Sequence, residues 1–289
     1  MAYPQVSGPY GLQARNEIGG LPYAGSTRMI PIAAGYASNL FYGDIVQLSG
    51  GTLVASSYTP ATSPTTPIAG TIGVFVGCTY QQPVTGQQIN AQYWPTGTLS
   101  QNAIAYVIDD PRVVFKAAVG SQATSTLSNT SSGLGYMNPA FIGTNVYPCS
   151  GAGGSTTTGD SLMSVTGGVV TNGTGNTRVT AAAPLRVVGV VTDTVVAVTQ
   201  TASTSGSSST LTLTAANSSI QAGMQISSPS GTGAYSGNYV YVTNVNGTTV
   251  TLSSAVTIAS GTQVTFVGYP EVLVTWNGNF HSYNNTTGV

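Results

Sequence analysis

Charged side chains are scarce in this sequence of 289 residues. It contains 6 Lys and Arg and 7 Asp and Glu, so only 4% of its residues are charged, whereas an ordinary soluble protein has roughly 25%. Nucleic-acid binding by phosphate neutralisation needs clustered Lys and Arg. Here one lysine, Lys116, and five arginines are scattered along the chain, so we expect no nucleic-acid partner. The composition is not that of a disordered chain either, because 41% of the residues are hydrophobic and the net charge is -1.

Long apolar runs are also missing. The longest, Leu185 to Val191, is interrupted by Arg186 and Gly189 and falls far short of the roughly 20 residues of a membrane-spanning helix, so we expect no membrane partner. The N-terminal segment lacks a basic region followed by an apolar stretch, so no secretory signal is visible. These features favour a protein made in the cytoplasm that stays there or joins an assembly formed there.

Cysteine is rare, and the glycine clusters lack a phosphate-binding pattern. Cys78 and Cys149 are too few for a disulfide framework or a zinc site, and we interpret both as buried free thiols. The glycine clusters at 50–51 and 151–154 do not match the Walker spacing and do not open helices, which phosphate binding would require. We therefore expect no cofactor and no metal ion.

Helix-forming composition is almost absent, because few stretches combine Ala, Leu, Glu, Lys and Gln without Gly, Pro or β-branched residues. Short runs rich in Val, Ile, Thr, Tyr and Phe recur instead, each bounded by Gly, Pro, Asn or Ser, which is typical of β-strands. These runs are FYGDIVQLSG, TIGVFVGCTY, AIAYVIDD, RVVFKAAV, LRVVGVVTD, STLTLTA, NYVYVTNV, TTVTLSS, QVTFVG and EVLVTW. The sequence predicts an all-β protein.

Two stretches of the chain share a succession of landmarks, which indicates an internal repeat. The first landmark is a Gly-Asp pair before a strand. The second is a Gly that opens a further strand 29 positions after that Asp, and the third is a proline and a charged residue before a strand. In this order they stand at Asp44, Gly73 and Pro111 in the first copy and at Asp160, Gly189 and Pro270 in the second. We interpret these stretches as two copies of one β-module.

The second copy carries an insertion. The second and third landmarks are 38 positions apart in the first copy and 81 in the second. The segment 199–266 fits as the inserted unit, since a Ser/Thr-rich entry leads into strands of its own and Asn246-Gly247 is a strong hairpin-turn signal. These strands predict a small immunoglobulin-like β-sandwich, placed at a loop tip where insertion is tolerated.

These boundaries divide the chain into four parts. Residues 1–29, rich in Pro and Gly and without a hydrophobic period, predict an extended arm. Residues 30–136 are the first β-module, 137–198 with 267–289 are the second, and 199–266 are the insert. An arm of this composition is either tied down on its own domain or laid on a neighbouring molecule, and the sequence leaves both open.

One motif invites an enzymatic interpretation. Gly159-Asp160-Ser161-Leu162 spells the nucleophile block of the lipase and esterase family named for these four letters. Serine–histidine chemistry needs a histidine to take the serine proton and a carboxylate to orient it, yet the one histidine, His281, has no Asp or Glu in the nine residues before it. The repeat also places Ile45 where this block has Ser161. A turn-forming Gly-Asp before a strand explains both copies, so we expect no enzyme.

Two other features have structural explanations. Asp109 and Asp110 could serve acid–base chemistry or bind a hard cation, but they close a strand before Pro111, where Asp favours a turn. Trp94 and Trp276 are interpreted as core or interface aromatics, with a carbohydrate platform as the alternative.

Five segments carry a resemblance to a known family: 28–42, the turn and strand from Gly43 to Leu48, 72–80, 92–95 and 106–111. They resemble structural proteins of marine tailed bacteriophages. Their succession of Gly-Asp-x-Val-x-Leu, Gly-x-Val and Ile-x-Gly-Val is similar to phage head decoration proteins, and 199–266 is similar to the immunoglobulin-like modules of phage surface proteins. The resemblance implies a β-barrel or β-tulip fold in each module and trimers on the outer capsid. The duplication departs from the single-module pattern of that family.

Resemblance and composition together give the expected function. We expect a virion structural protein on the capsid surface, a decoration or cement protein that binds the outer surface of the major capsid protein lattice and stabilises it. It would be a homo-oligomer, with a trimer favoured. The alternative is a phage tail or fibre component, or a surface adhesin that binds host glycans. The expected contact residues lie on the arm and among the aromatics: Tyr10, Arg15, Tyr23, Arg28 and Trp94.

Overall fold

The fold is described from a computed structural model. It describes residues 8–56, 71–119, 142–148, 153–166, 183–191, 197–203, 206–230, 240–268, 271–278 and 281, and the statements below concern these residues. They contain eighteen β-strands and no α-helix, which confirms the all-β prediction. Two residues used in the sequence interpretation, Cys149 and Pro270, lie outside the described ranges.

The strands occur throughout the described part of the chain. They are β1 (Gln13–Glu17), β2 (Arg28–Pro31), β3 (Ile45–Ser49), β4 (Thr52–Ala55), β5 (Thr71–Gln81), β6 (Gln88–Ala91), β7 (Ile104–Ile108), β8 (Val113–Ala118), β9 (Asn145–Pro148), β10 (Val165–Thr166), β11 (Leu185–Val191), β12 (Ala197–Thr201), β13 (Gly206–Thr212), β14 (Gln225–Ser230), β15 (Val242–Asn246), β16 (Thr249–Ile258), β17 (Gln263–Val267) and β18 (Glu271–Trp276).

The first sheet is built from residues 28–108 and has the strand order β2-β7-β5-β3-β4, with β6 pairing with β5. All of its pairings are antiparallel. Strand β5 lies at its centre and is rich in β-branched and aromatic residues, which suit a strand buried on both faces. The core under this sheet contains Ile30, Ile32, Leu40, Val46, Leu53, Ile72, Phe75, Cys78, Tyr80, Trp94, Ala103, Ala105 and Val107.

The second sheet joins distant parts of the chain in the order β1-β8-β18-β11-β9-β10. Strand β8 pairs with β18 over a long sequence separation, with Phe115 opposite Val274. Strand β1, from the N-terminal arm, pairs with β8 and places Gln13 opposite Lys116, so residues 13–17 are tied down on the chain's own sheet. No sheet in the described part of the chain is closed, although a single parallel bridge joins Val119, just after β8, to Val165 of β10.

The insert has a core of its own. It forms two three-stranded sheets, ordered β12-β17-β14 and β13-β16-β15. The buried side chains between them, from Ala202 to Phe266, all belong to the segment 199–266. Asn246 pairs with Thr249 across a two-residue loop, which confirms the hairpin expected at Asn246-Gly247.

The two-module interpretation and its boundaries stay predictions. In the first sheet, the strand after Gly43-Asp44 is β3, and it pairs directly with β5, which contains Gly73. In the second sheet, the strand after Gly159-Asp160 is β10, and β9 separates it from β11, which contains Gly189. The strands that follow the two Gly-Asp landmarks therefore have different neighbours in their sheets.

Candidate interaction site

The two Gly-Asp turns contact each other. The backbone N–H of Tyr42 donates to the carbonyl oxygen of Gly159 at 2.9 Å, and the N–H of Ser161 donates to the carbonyl oxygen of Tyr42 at 3.0 Å. Gly43 and Gly159 have φ angles of +94° and +82°, in the left-handed region that glycine adopts without steric cost. The turns therefore form a junction between the first and the second sheet.

Asp44 is the polar centre of this junction. Its Oδ2 accepts a hydrogen bond from the N–H of Phe41 at 2.8 Å, which confirms its role in the turn. Its Oδ1 accepts from the hydroxyl of Ser161 at 2.6 Å. Burial raises the pKa of Asp44, while the hydrogen bonds from Ser161 and Phe41 oppose that shift.

The structure gives Ser161 and His281 different partners. Both residues are fully buried. The hydroxyl of Ser161 donates to Asp44 and accepts from the N–H of Met163 at 2.9 Å. The Nε2 of His281 lies 2.8 Å from the carbonyl oxygen of Ile72, and because a carbonyl oxygen can only accept, Nε2 carries the proton in this bond. Burial lowers the pKa of His281.

Tyr10, the first expected contact residue, belongs to a buried polar cluster. Its hydroxyl donates to Oε1 of Glu271. The Nζ of Lys116 lies 2.6 Å from the same oxygen and 5.2 Å from the centre of the Tyr10 ring. Glu271 is only 1% exposed, and burial, together with its hydrogen bond to Glu271, raises the pKa of Tyr10. This cluster attaches the arm to strands β8 and β18.

The other three arm residues lie closer to the surface. Arg15 is exposed on β1. Tyr23 is half-buried and donates its hydroxyl to the carbonyl oxygen of Ser26. Burial first, and then the neighbouring Tyr42, Asp109 and Asp110, raise the pKa of Tyr23 to about 12. Arg28 has its Nη1 3.5 Å from Oδ2 of Asp109, with 53% of the Arg28 side chain exposed. Arg15 and Arg28 are therefore exposed, whereas Tyr23 is half-buried, and their role as contact residues stays a prediction.

Trp94, the fifth expected contact residue, is fully buried and packs edge to face with Tyr80 at 5.4 Å. It is therefore placed as a core aromatic. Trp276 is also buried, and its ring packs edge to face with Phe115. Within the described residues, the indole Nε1 of both tryptophans is buried without a hydrogen-bond partner.

Two further sequence interpretations can be placed. Asp110 accepts a hydrogen bond from the N–H of Arg112 at 2.8 Å, which confirms the turn expected before β8. Cys78 is a buried free thiol, as expected. Burial raises its pKa to about 12, so the thiol is neutral and unreactive at physiological pH.

An open depression lies at the surface of the first sheet, where β5 runs between β6 and β7. Its volume is about 490 Å³, and its lining is formed by Tyr42, Val76, Gly77, Cys78, Asn90, Ala91, Gln92 and Tyr106. None of these side chains is a carboxylate or a cation. A β-bulge falls between Phe75 and Gly77 where β5 pairs with β7, and bulges of this kind re-aim side chains next to binding sites.

Hydrogen bonds orient the polar groups around this depression. The hydroxyl of Thr79 donates to Oδ1 of Asn90 at 2.6 Å and lies 3.0 Å from the hydroxyl of Tyr106. Since the single Thr79 proton is used toward Asn90, the Tyr106 hydroxyl donates to Thr79. On the other side, Nε2 of Gln92 donates to Oδ1 of Asp160 at 2.8 Å.

Metal clusters and membrane-spanning helices can each be sought in the described part of the chain. It contains no group of three or more His, Cys, Asp or Glu side chains that could hold a metal ion. Among the same residues, no helix has the length and hydropathy needed to cross a membrane. No protein-family model, no curated protein and no solved structure matches this chain.

Sequence reasoning missed the pair formed by Lys116 and Glu271. A signal was present, because the one lysine and one of the seven acidic residues stand in otherwise apolar strands, RVVFKAAV and EVLVTW. Charges at such positions are rarely buried unless they are paired. The depression had no comparable signal, because its lining comes from four separate segments.

Proposed function

We propose that this chain is a structural protein of a tailed-bacteriophage particle. It would be a capsid decoration or cement protein that binds the outer surface of the major capsid protein lattice and stabilises it. It would be made in the host cytoplasm, join the virion surface there, and act as a homo-oligomer, with a trimer favoured. The phage assignment rests on the sequence resemblance, and the described structure adds physical support for a binding role of this kind.

The observation that carries the proposal is how little free charge the surface has. Few residues are charged at all, and several of those are used inside the chain. Lys116 and Glu271 pair in a buried cluster, Asp44 is bonded within the turn junction, and Arg28 pairs with Asp109. A partner must therefore be held mainly by apolar burial, neutral hydrogen bonds and shape. Such contacts are insensitive to salt and can act together on a repeating lattice.

Exposed apolar side chains of the arm supply a candidate contact surface. Ile18 is 50% exposed, Leu21 is 61% exposed and Met29 is 65% exposed. They lie between or beside Arg15, Tyr23 and Arg28 in the sequence. Burying this surface against a capsid subunit would contribute roughly 25 cal/mol for each Å² of apolar area.

The finer fold is part of the same proposal. We propose that the first and the second sheet are both barrel-like, as in phage decoration proteins. The second sheet supports this because the bridge between Val119 and Val165 links its end strand β10 back to the residue after β8, around one core. In the first sheet, the edge strands β2 and β4 approach each other. The two sheets and separate core of the insert fit an immunoglobulin-like β-sandwich.

Co-sedimentation with capsids tests the proposal. The purified full chain is mixed with tailed-phage capsids that lack decoration protein and spun in 0.1 M and in 1 M NaCl. We expect saturable binding with an affinity that changes less than about threefold between the two salt concentrations, because few ionic contacts are available to be screened. No binding, or a tenfold loss of affinity in 1 M NaCl, contradicts the proposal.

The contact surface has a matched control. Ile18→Ser and Leu21→Ser should weaken capsid binding, because each removes exposed apolar surface near the arm. Val84→Ser removes a side chain that is 89% exposed on the loop between β5 and β6, and it should leave binding unchanged. Equal effects of all three substitutions would mean that the arm is not part of the contact surface.

The second candidate is a phage tail or fibre component, or a surface adhesin that binds host glycans. The open depression, lined by two tyrosines and two side-chain amides, favours it. A glycan array probed with the full chain separates the candidates: specific sugar binding without capsid binding favours the adhesin, and capsid binding favours the decoration protein.

A further inference from the structure

We propose that the depression between β6 and β7 is a binding site for a neutral saccharide. This site gives the second candidate function, glycan binding, a defined position and ligand class, and it does not depend on capsid binding. The depression's volume of about 490 Å³ falls within the roughly 300 to 1,000 Å³ of typical ligand sites. It is open at the surface, as a site for one or two rings of a longer chain must be.

The lining combines the two kinds of group that a sugar ring needs. The rings of Tyr42 and Tyr106 are half-buried in the depression, and aromatic rings present apolar faces that can pack against the C–H groups of a pyranose. Asn90 and Gln92 add amide groups, each with both donor and acceptor atoms. Sugar hydroxyls also donate and accept, so this mixed set of partners suits them.

Hydrogen bonds within the site determine which polar atoms are left for a ligand. Because Thr79 donates to Oδ1 of Asn90, the Asn90 Nδ2 donor is the amide atom left for a ligand. Because the Tyr106 hydroxyl donates to Thr79, its oxygen can still accept. Because Nε2 of Gln92 is bonded to Asp160, its Oε1 is the remaining acceptor. A site oriented before binding loses less entropy when the ligand arrives.

Charge narrows the class of sugar. All eight lining residues are of uncharged types, and the thiol of Cys78 is neutral because burial raises its pKa to about 12. The carboxylate of Asp160 lies directly behind Gln92. An acidic sugar would find no cation in the lining and would face that carboxylate, so a neutral saccharide is favoured.

The absence of a side chain at Gly159 leaves the room that the side chain of Gln92 occupies. A Cβ atom at Gly159 would lie 2.8 Å from the Cβ of Gln92, so any larger residue there would displace Gln92. The site therefore depends on the junction of the two Gly-Asp turns, which brings a residue of the 153–166 segment against the first sheet.

Saturation-transfer NMR on the full chain tests the site. The probes are glucose, galactose, mannose and N-acetylglucosamine, their 1,4-linked disaccharides, and digalacturonic acid as the charged comparison. We expect saturation of at least one neutral probe and none of digalacturonic acid. Tyr106→Ala and Gln92→Ala should each lower the affinity at least tenfold, while Tyr241→Ala, an exposed tyrosine on the insert, should leave it unchanged.

Three results would overturn the site: no neutral probe is saturated, digalacturonic acid binds as well as the neutral probes, or binding survives Gln92→Ala. Gln92 is exposed, so its substitution decides the matter even if Tyr106→Ala does not fold. The same variants are taken into the capsid assay. Retained capsid binding with no saccharide binding overturns only this site, whereas saccharide binding without capsid binding supports this site and contradicts the decoration role.

Discussion

Ser161 donates its hydroxyl proton to the carboxylate of Asp44 over 2.6 Å, although 117 positions separate them in the chain. The bond joins the turn before β3 to the segment that leads into β10. Beside it, the backbone of Tyr42 forms hydrogen bonds with the backbones of both Gly159 and Ser161. Polar groups thus hold together two sheets whose strands come from different parts of the sequence.

Ser161→Ala should destabilise the protein by about 1–3 kcal/mol, because it leaves a buried acceptor on Asp44 without its donor. Urea unfolding followed by tryptophan fluorescence measures this, since Trp94 belongs to the core under the first sheet and Trp276 to the core of the second sheet. Ser49→Ala, at an exposed position, is the control and should change stability by no more than about 0.5 kcal/mol. Equal effects of the two variants would mean that the bond to Asp44 contributes no stability.

Lys116→Met should cost about 3–5 kcal/mol, because it leaves the buried carboxylate of Glu271 without its cation. The double variant with Glu271→Leu should recover most of that loss, since replacing a buried ion pair by apolar groups is often neutral. Arg28→Met breaks the more exposed pair with Asp109 and should cost no more than about 1 kcal/mol. Urea midpoints of the four proteins check the order. A Lys116→Met variant as stable as Arg28→Met would show that the buried cluster does not hold the arm.

His281 should make stability fall as the pH drops below 6.5. Burial lowers its pKa from the ordinary value of 6.5, so the unfolded chain takes up a proton in a range where the folded chain stays neutral, and the stability present above pH 6.5 is lost. The hydrogen bond to the carbonyl oxygen of Ile72, and then the negative charges of Asp109 and Asp110, oppose this shift without reversing it. His281→Gln removes the titration. The difference in unfolding free energy between wild type and variant should therefore move against the wild type from pH 7.5 to pH 5.5, and a constant difference would refute the assignment.

A left-handed backbone conformation costs a residue other than glycine about 1–2 kcal/mol. Gly43→Ala should destabilise the protein by more than this. A Cβ atom there would lie 2.8 Å from the backbone nitrogen of Leu12, so the arm would have to move. Gly51→Ala provides the control, because Gly51 has a similar φ of +83° with open space around it. The extra loss in Gly43→Ala, read from thermal unfolding, measures the contact with the arm. No extra loss would mean that the arm can shift freely.

Much of the strand content follows from local composition. The runs AIAYVIDD and RVVFKAAV contain β7 and β8, and EVLVTW is β18, because β-branched and aromatic residues favour the extended backbone. Strands β1 and β2 were not expected in a segment rich in Pro and Gly. They form because β8 and β7 offer unpaired edges whose hydrogen bonds they complete, which is a property of the sheet and not of the segment.

The candidate site was less accessible from the sequence. The arm residues were placed as contacts from composition, but composition does not distinguish Tyr10, whose hydroxyl is bonded to a buried carboxylate, from the exposed Arg15. Trp94 lies in the core under the first sheet, where its ring packs against Tyr80 of β5 and its backbone bonds to Leu40. A single sequence gives no measure of that burial.

The sequence alone determined that this is an all-β chain with very few charges, with Gly-Asp turns before strands and an asparagine-glycine hairpin in the insert, because strand and turn preferences act over a few neighbouring residues. Only the tertiary structure decided which strands pair, that Lys116 meets Glu271, and that Tyr42, Asn90, Gln92 and Tyr106 line one depression. Those outcomes depend on burial and pairing between residues far apart in the chain, which local preferences do not encode.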